Sequence, residues 1–201
     1  MGEMTPVQPR LFGLPDAAMP EGFVYRPDFI SAAEEASLIT ELERLPFAPF
    51  QFHGFEGARR VVSFGWRYDF NEGGLKPAAP LPAWLRPLAD RAAGFAGVPA
   101  DAIAHALLTE YAPGAGIGWH RDRPQFEDVV GVSLLAPCRF RFRRKQDSGW
   151  RRAQLMVEPR SAYLLRGPSR REWEHSIPPL QTLRYSITFR TFRPGVRPPS
   201  R

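Results

Sequence analysis

The second half of the chain breaks into short segments that read with a period of two, and this spacing restricts the fold more than any other feature. The segments are residues 104–111, 129–135, 139–143, 153–157, 162–166 and 184–192. Turn residues part them at Pro113-Gly114, Asp147-Ser148-Gly149, Pro159 and Gly167-Pro168. Strands this short, at this spacing, close into a barrel or pack as a sandwich. In residues 184–190, Arg184, Ser186, Thr188 and Arg190 share one face, while Tyr185, Ile187 and Phe189 share the other. A half-buried strand turns its apolar face to a core and its polar face to water. The same polar face can also line the interior of a small barrel that holds a charged ligand. In that second reading Arg184 is a fixed guanidinium, able to grip a carboxylate through two parallel hydrogen bonds.

Residues 108–122 run from a strand-like apolar segment through the Pro113-Gly114 turn into His120-x-Asp122. In extended backbone, residues two apart point to one face, so an imidazole and a carboxylate meet there. A third candidate donor is His175, within residues 173–177. Two His and one carboxylate on one side of a metal, with the opposite positions open, is the ligand set of non-haem Fe(II) oxygenases. Taken alone, His-x-Asp reads more readily as a surface strand pair than as a metal site.

The ordered set of Tyr111-Ala112-Pro113-Gly114, His120-x-Asp122, His175 and residues 184–190 resembles the AlkB-like dioxygenases, which depend on Fe(II) and 2-oxoglutarate; the resemblance covers residues 64–192. It implies a mainly β fold with flanking helices, a double-stranded β-helix or jelly roll. It also implies His120, Asp122 and His175 as iron ligands, with dioxygen at the remaining position. Arg184 becomes the partner of the distal carboxylate of 2-oxoglutarate, Tyr111 a hydroxyl donor to that cosubstrate, and Arg190 the arginine closing the same wall. Thr109 and Ser186 stand where repair members of the family carry Asn. Both still hydrogen-bond, and both belong to the expected cosubstrate site.

The implied activity is oxidative demethylation of alkylated bases in DNA or RNA. The same chemistry on a protein side chain or a small molecule is the alternative, because fold and metal site do not specify what enters the mouth. A jelly-roll binding protein whose metal is structural or absent is a third reading, and the Arg184 clamp argues against it.

Toward the N-terminus, Ser31 and Glu34 form a capping-box pattern opening a helix over residues 32–45, with Ala36, Leu38, Ile39, Leu42 and Leu45 as its apolar stripe. A second helix is predicted over residues 83–95 after Pro82, with Trp84, Leu85, Leu88, Ala92 and Phe95 inward. These helices would cover the apolar face of Tyr185, Ile187 and Phe189. Between them, residues 50–70 are dense in aromatics and arginine and read as paired strands with a mobile tip. In AlkB-like proteins the equivalent region forms a lid, which makes His53, Phe55, Arg59, Arg60 and Tyr68 the candidate substrate contacts. Phe64, Trp66, Tyr68 and Phe70 also alternate as one inward face of a core strand.

With 43% hydrophobic and 12% aromatic residues, the composition is that of a globular chain. The expected organisation is an arm over residues 1–20, one domain over 21–192 and a Pro- and Arg-rich tail over 193–201, acting as a monomer. No apolar run reaches the roughly eighteen residues of a membrane span, and no signal-peptide pattern opens the sequence, so the cytoplasm is the expected compartment. Cys138 stands alone in an apolar strand and reads as a buried thiol. The net charge of +6, carried mostly by Arg, suits a polyanion such as nucleic acid. A genome rich in G and C would produce the same Arg, Pro and Ala bias. Arg139, Arg141 and Arg143 give one strand a basic face, either solvated or in contact with a substrate anion. His105, inside an apolar strand, reads as structural.

Overall fold

The computed structural model describes residues 18–52, 55–68 and 73–196; residues 1–17 of the expected arm and 197–201 of the expected tail lie outside these. In chain order the elements are β1 (Phe23–Arg26), α1 (Ala32–Leu42), β2 (Ala48–Phe52), β3 (Phe55–Phe64), β4 (Trp66–Tyr68), β5 (Leu75–Pro77), α2 (Arg86–Ala96), β6 (Ile103–Tyr111) and β7 (Ile117–His120). They continue with β8 (Phe126–Leu134), β9 (Cys138–Lys145), β10 (Trp150–Val157), β11 (Ala162–Leu165), α3 (Pro168–Arg171), β12 (Glu174–Ile177) and β13 (Arg184–Phe192). A seven-stranded sheet runs β1-β11-β8-β13-β6-β3-β2, and a four-stranded sheet runs β10-β9-β12-β7. The two lie face to face, with strand outweighing helix at 45% against 19%, and the chain forms the expected jelly roll. No helix among the described residues is long and apolar enough to cross a membrane.

The period-two pattern of β13 decides how the layers stack. Its Tyr185, Ile187 and Phe189 join Leu38 and Leu42 of α1 and Leu88 and Ala92 of α2 in one buried cluster, so both helices cover the outer side of the large sheet. A second cluster, with Phe140, Phe142, Tyr163, Leu165 and Trp173, fills the space between the sheets. The polar face of β13 therefore looks into the interior, and the solvated reading of that face does not hold.

The capping box on α1 forms as expected: Ser31 Oγ accepts the Glu34 N–H at 3.2 Å and Glu34 Oε2 accepts the Ser31 N–H at 2.8 Å. The helix stops at Leu42, short of residue 45. The second helix opens as a 3₁₀ turn, Ala83–Leu85, before α2 proper, and Gly97 at φ +67 ends it. The inward run of Phe64, Trp66 and Tyr68 is broken at Gly65, where φ is +77 and a Cβ would sit 2.3 Å from the Ala104 carbonyl oxygen. Phe64 joins the helix-side core, Trp66 packs on Phe192 at 6.1 Å, and Phe70 lies outside the described residues.

Candidate functional site

Strands β7 and β12 run antiparallel, and their register sets His120 opposite His175 with ring centroids 4.2 Å apart. Asp122 lies beyond the end of β7, so it reaches the pair through the following turn and not by strand alternation. Its Oδ2 is 3.7 Å from His175 Nε2. Two donors each about 2.1 Å from a shared metal lie about 3–4 Å apart, depending on the angle between them. Among the described residues no group of three His, Cys, Asp or Glu side chains is spaced to hold a metal ion as it stands; here Asp122 is drawn toward Arg190. Arg190 donates to Asp122 Oδ1 from Nε at 3.0 Å and from Nη2 at 2.6 Å, which leaves Oδ2 on the His175 side.

Protonation states follow from the surroundings. His120 Nδ1 is 2.9 Å from the Gly118 carbonyl oxygen. A carbonyl can only accept, so Nδ1 carries the hydrogen and Nε2 keeps its lone pair. Burial lowers the pKa of His120, with Asp122 opposing in part. Burial and the neighbouring His120 lower His175 to about 3. Burial alone would raise the Asp122 carboxyl, but Arg190, His175, Arg170 and His120 outweigh it and hold it well below the usual carboxylate range. Two neutral imidazoles beside an ionised carboxylate are the forms a metal requires of its ligands.

Behind Asp122 the support continues. Arg190 Nη1 lies 3.2 Å from His105 Nδ1, and because a guanidinium only donates, His105 accepts and is neutral. Burial first, then the Arg190 charge, holds its pKa well below the ordinary value. His105 is thus more than core filling: it fixes the arginine that fixes Asp122. Arg190, expected on the cosubstrate wall, does line the cavity but commits its guanidinium to these two partners.

Arg184 is fully buried, with its guanidinium carbon 5.2 Å from the centre of the Tyr111 ring. Its Nε donates to Ser133 Oγ at 3.1 Å, while Nη1 and Nη2 have no partner among the described residues. Burying an uncompensated charge costs on the order of several kcal/mol, so a pair of orphaned guanidinium nitrogens implies an anion that completes them. A carboxylate fits that fork bidentately. Tyr111 stands opposite Arg184, and Thr109 opposite Ser186, across the β6–β13 ladder. Tyr111, Thr109 and Ser186 all line a cavity of about 1420 Å³.

His120, Asp122, His175, Arg59 and Tyr68 line the same cavity. Arg59 stacks on Phe50, with its guanidinium carbon 3.9 Å from the ring centre, and burial lowers its pKa. The Tyr68 ring lies 4.3 Å beneath the Arg123 guanidinium. Arg60 does not belong with them. Neighbouring residues of a strand face opposite ways, and Arg60 pairs with Glu110 through Nε at 2.7 Å and Nη2 at 2.9 Å, away from the cavity. His53 and the side chain of Phe55 lie outside the described residues.

Several lining residues escaped the sequence reading: Arg170, Trp119 and Tyr163. Arg170 is buried and donates to the carbonyl oxygens of Arg123 and Phe126, with Nε unpartnered. Tyr163 had a detectable signal in Gly131, where a Cβ would lie 2.2 Å from the Tyr163 ring. A glycine inside an apolar strand marks such an approach.

Jelly-roll topology, a His-Asp-His cluster and a buried carboxylate clamp together define a class, that of metal- and keto-acid-dependent oxygenases. The family model described as the 2OG-Fe(II) oxygenase superfamily matches residues 22–190, and the chain belongs to that superfamily as an AlkB-like member. Its cofactors are Fe(II), 2-oxoglutarate and O2. The chain is 28% identical over 184 residues to the alkylated DNA repair protein ALKBH8 homolog of Arabidopsis thaliana, covering 78% of this chain and 51% of that protein. It is 32% identical over 127 residues to the alpha-ketoglutarate-dependent dioxygenase AlkB of Escherichia coli, covering 57% of each. The solved structure of OsALKBH1 superposes with a TM-score of 0.66 at 17% identity, over 87% of this chain and 98% of that one, a likeness of fold. The chain spans about half the length of the curated relatives it matches.

Proposed function

We propose that residues 21–192 form an Fe(II)- and 2-oxoglutarate-dependent dioxygenase domain that oxidatively demethylates alkylated bases in nucleic acid. His120, Asp122 and His175 hold the iron, and Arg184 holds the distal carboxylate of 2-oxoglutarate. The observation that carries this reading is the buried guanidinium of Arg184, with both terminal nitrogens unpartnered among the described residues. When bound, iron and 2-oxoglutarate supply the oxidation: one oxygen atom enters the substrate C–H bond, the other enters succinate, and carbon dioxide is released. A hydroxylated N-methyl group then leaves as formaldehyde.

The protein contributes position and dryness. Arg184, buried against the Tyr111 ring, fixes the cosubstrate at one end, and Tyr111, Thr109 and Ser186 line the cavity beside it. Arg190 holds Asp122 Oδ1 and so presents Oδ2, and the Gly118 carbonyl holds His120 in the tautomer whose Nε2 is free. Phe140, Val129 and Tyr163 give the interior apolar walls. Nearer the protein surface, Arg121, Arg123 and Tyr68 offer cations for phosphate and a ring for stacking a flipped base, and Arg59 adds a cation deeper in the cavity. The names of the relatives, an alkylated-DNA repair protein and AlkB, support nucleic acid as the substrate.

The test is a turnover screen over DNA and RNA oligonucleotides carrying N-methylated bases, with succinate and formaldehyde both measured. Formaldehyde that depends on Fe(II) and 2-oxoglutarate is the expected result. Succinate formed in the absence of formaldehyde from every oligonucleotide would shift the substrate to a protein side chain or a small molecule.

A further inference from the structure

Among the described residues no layer packs on the outer face of the four-stranded sheet. Strand β9 turns Cys138, Phe140 and Phe142 into the core, so Arg139, Arg141, Arg143 and Lys145 lie on its outer side. The β9–β10 register sets Met156, Gln154, Arg152 and Trp150 directly opposite these four. Arg143 therefore faces Arg152, a like-charged cross-strand pair that costs the sheet stability. Glu174 balances one of the five cations by accepting from Arg143 Nε, and Arg141 donates to Ser176 Oγ at 3.0 Å. Among the described residues Arg139, Arg141, Lys145 and Arg152 have no carboxylate partner.

Two indoles complete the face. The Arg143 guanidinium lies between Trp119 and Trp150, its carbon 4.6 and 4.3 Å from the two ring centres, and Arg141 lies 5.0 Å from Trp119. Trp150 remains 38% exposed and Met156 47% exposed on this face. Trp119 and Glu174 also line the cavity, so the face runs without a break into its mouth.

We propose that this face binds the single-stranded flank of the nucleic acid whose base enters the cavity. The guanidinium groups of Arg139, Arg141, Arg143 and Arg152 take phosphodiester oxygens, and Trp150 stacks on a base. The inference rests on the nucleic-acid reading above. Same-face residues of a strand repeat about every 7 Å, close to the separation of successive phosphates in an extended single strand. Arginine is the side chain whose planar fork matches phosphate geometry, and aromatic stacking next to such cations is the mode by which proteins hold single strands of any sequence.

The experiment compares two charge-matched double variants of the full chain. One carries Arg139→Ala and Arg152→Ala on the face; the other carries Arg26→Ala and Arg86→Ala at exposed positions on β1 and α2. Binding of a fluorescent single-stranded oligonucleotide, long enough to span the sheet, is followed by anisotropy across a salt series. The face variant should bind about tenfold more weakly, and the magnitude of its log-log salt slope should fall by about two, while the control keeps the wild-type slope. Trp150→Ala should weaken binding with the slope unchanged, since stacking releases no counterions. Formaldehyde release from a methylated trinucleotide, too short to leave the mouth, should stay at the wild-type rate in all three proteins. Equal losses in the two double variants, or no loss in either, would overturn the inference, and continued trinucleotide turnover would leave the nucleic-acid reading standing. A polyglutamate peptide held as tightly as the oligonucleotide would overturn the choice of nucleic acid for this face. If the wild type forms succinate but no formaldehyde from either nucleic-acid substrate, the reading itself falls, and the inference falls with it.

Discussion

Arg184 is the residue on which structure and chemistry disagree most openly, being buried with two nitrogens unsatisfied, and its variants should separate stability from binding. Arg184→Met replaces a buried unpaired charge with an apolar side chain of similar length, a change that is often neutral or stabilising. The ligand-free variant should therefore unfold at the wild-type midpoint or above it. Added 2-oxoglutarate should raise the wild-type Tm by mass action and leave that of the variant unmoved. Arg184→Lys keeps the charge but loses the fork, so turnover should need far more 2-oxoglutarate. A shift in the Tm of Arg184→Met equal to wild type would move the clamp elsewhere.

His105 makes a prediction with a definite sign. Its folded pKa lies well below 6.5 because of burial and Arg190, so below that pH the unfolded chain binds a proton the folded chain refuses. Stability contributed here is level above about pH 6.5 and falls as the pH drops, by about 1.4 kcal/mol per pH unit until the folded pKa is reached. His175, lowered to about 3, acts in the same direction. His105→Gln keeps an acceptor for Arg190 and removes the titration. Denaturant unfolding of the iron-free proteins between about pH 6.5 and pH 5 should show a shallower loss in the variant; equal slopes would mean that His105 is protonated in the fold.

At the scale of elements, what could be read from the sequence was what one element encodes by itself. Strand β13 announces both of its faces by strict alternation, and α1 announces its start through Ser31 and Glu34. Strands β1, β7 and β12, each four residues long, carry too few alternations to separate from loop, although two of them bear the imidazoles. His120, Asp122, His175 and Arg184 stand out in the sequence because their residue types and order are rare in combination. Arg59 and Arg60 were not separable, since which of two neighbours faces the cavity depends on the β3–β6 register. Arg170 and the support role of His105 exist only once the sheets are assembled.

Gly131 tests one such packing relation. Gly131→Ala would drive a methyl group into the Tyr163 ring and should cost about 1–3 kcal/mol, as overpacked cores do. Pairing it with Tyr163→Leu should recover most of that loss in denaturant midpoint. Full stability in the single variant would show that the ring is free to move aside.

Across the whole molecule, the site belongs to neither sheet alone. The small sheet supplies His120 and His175, the large sheet supplies Arg184, Tyr111, Thr109 and Ser186, and Arg190 reaches from the large sheet to Asp122. The helices seal the far side of the large sheet and leave the interior to polar side chains, which is why a polar strand can be buried at the centre of the fold. These residues would form one site with two separable halves, one for iron and one for 2-oxoglutarate. Anaerobic equilibrium dialysis of the protein against Fe(II) and 2-oxoglutarate tests it directly. Wild type should retain one iron and one 2-oxoglutarate per chain, Arg184→Met should retain iron and lose the 2-oxoglutarate, and His175→Ala should lose the iron. Iron held by His175→Ala at the wild-type stoichiometry and affinity would contradict the account.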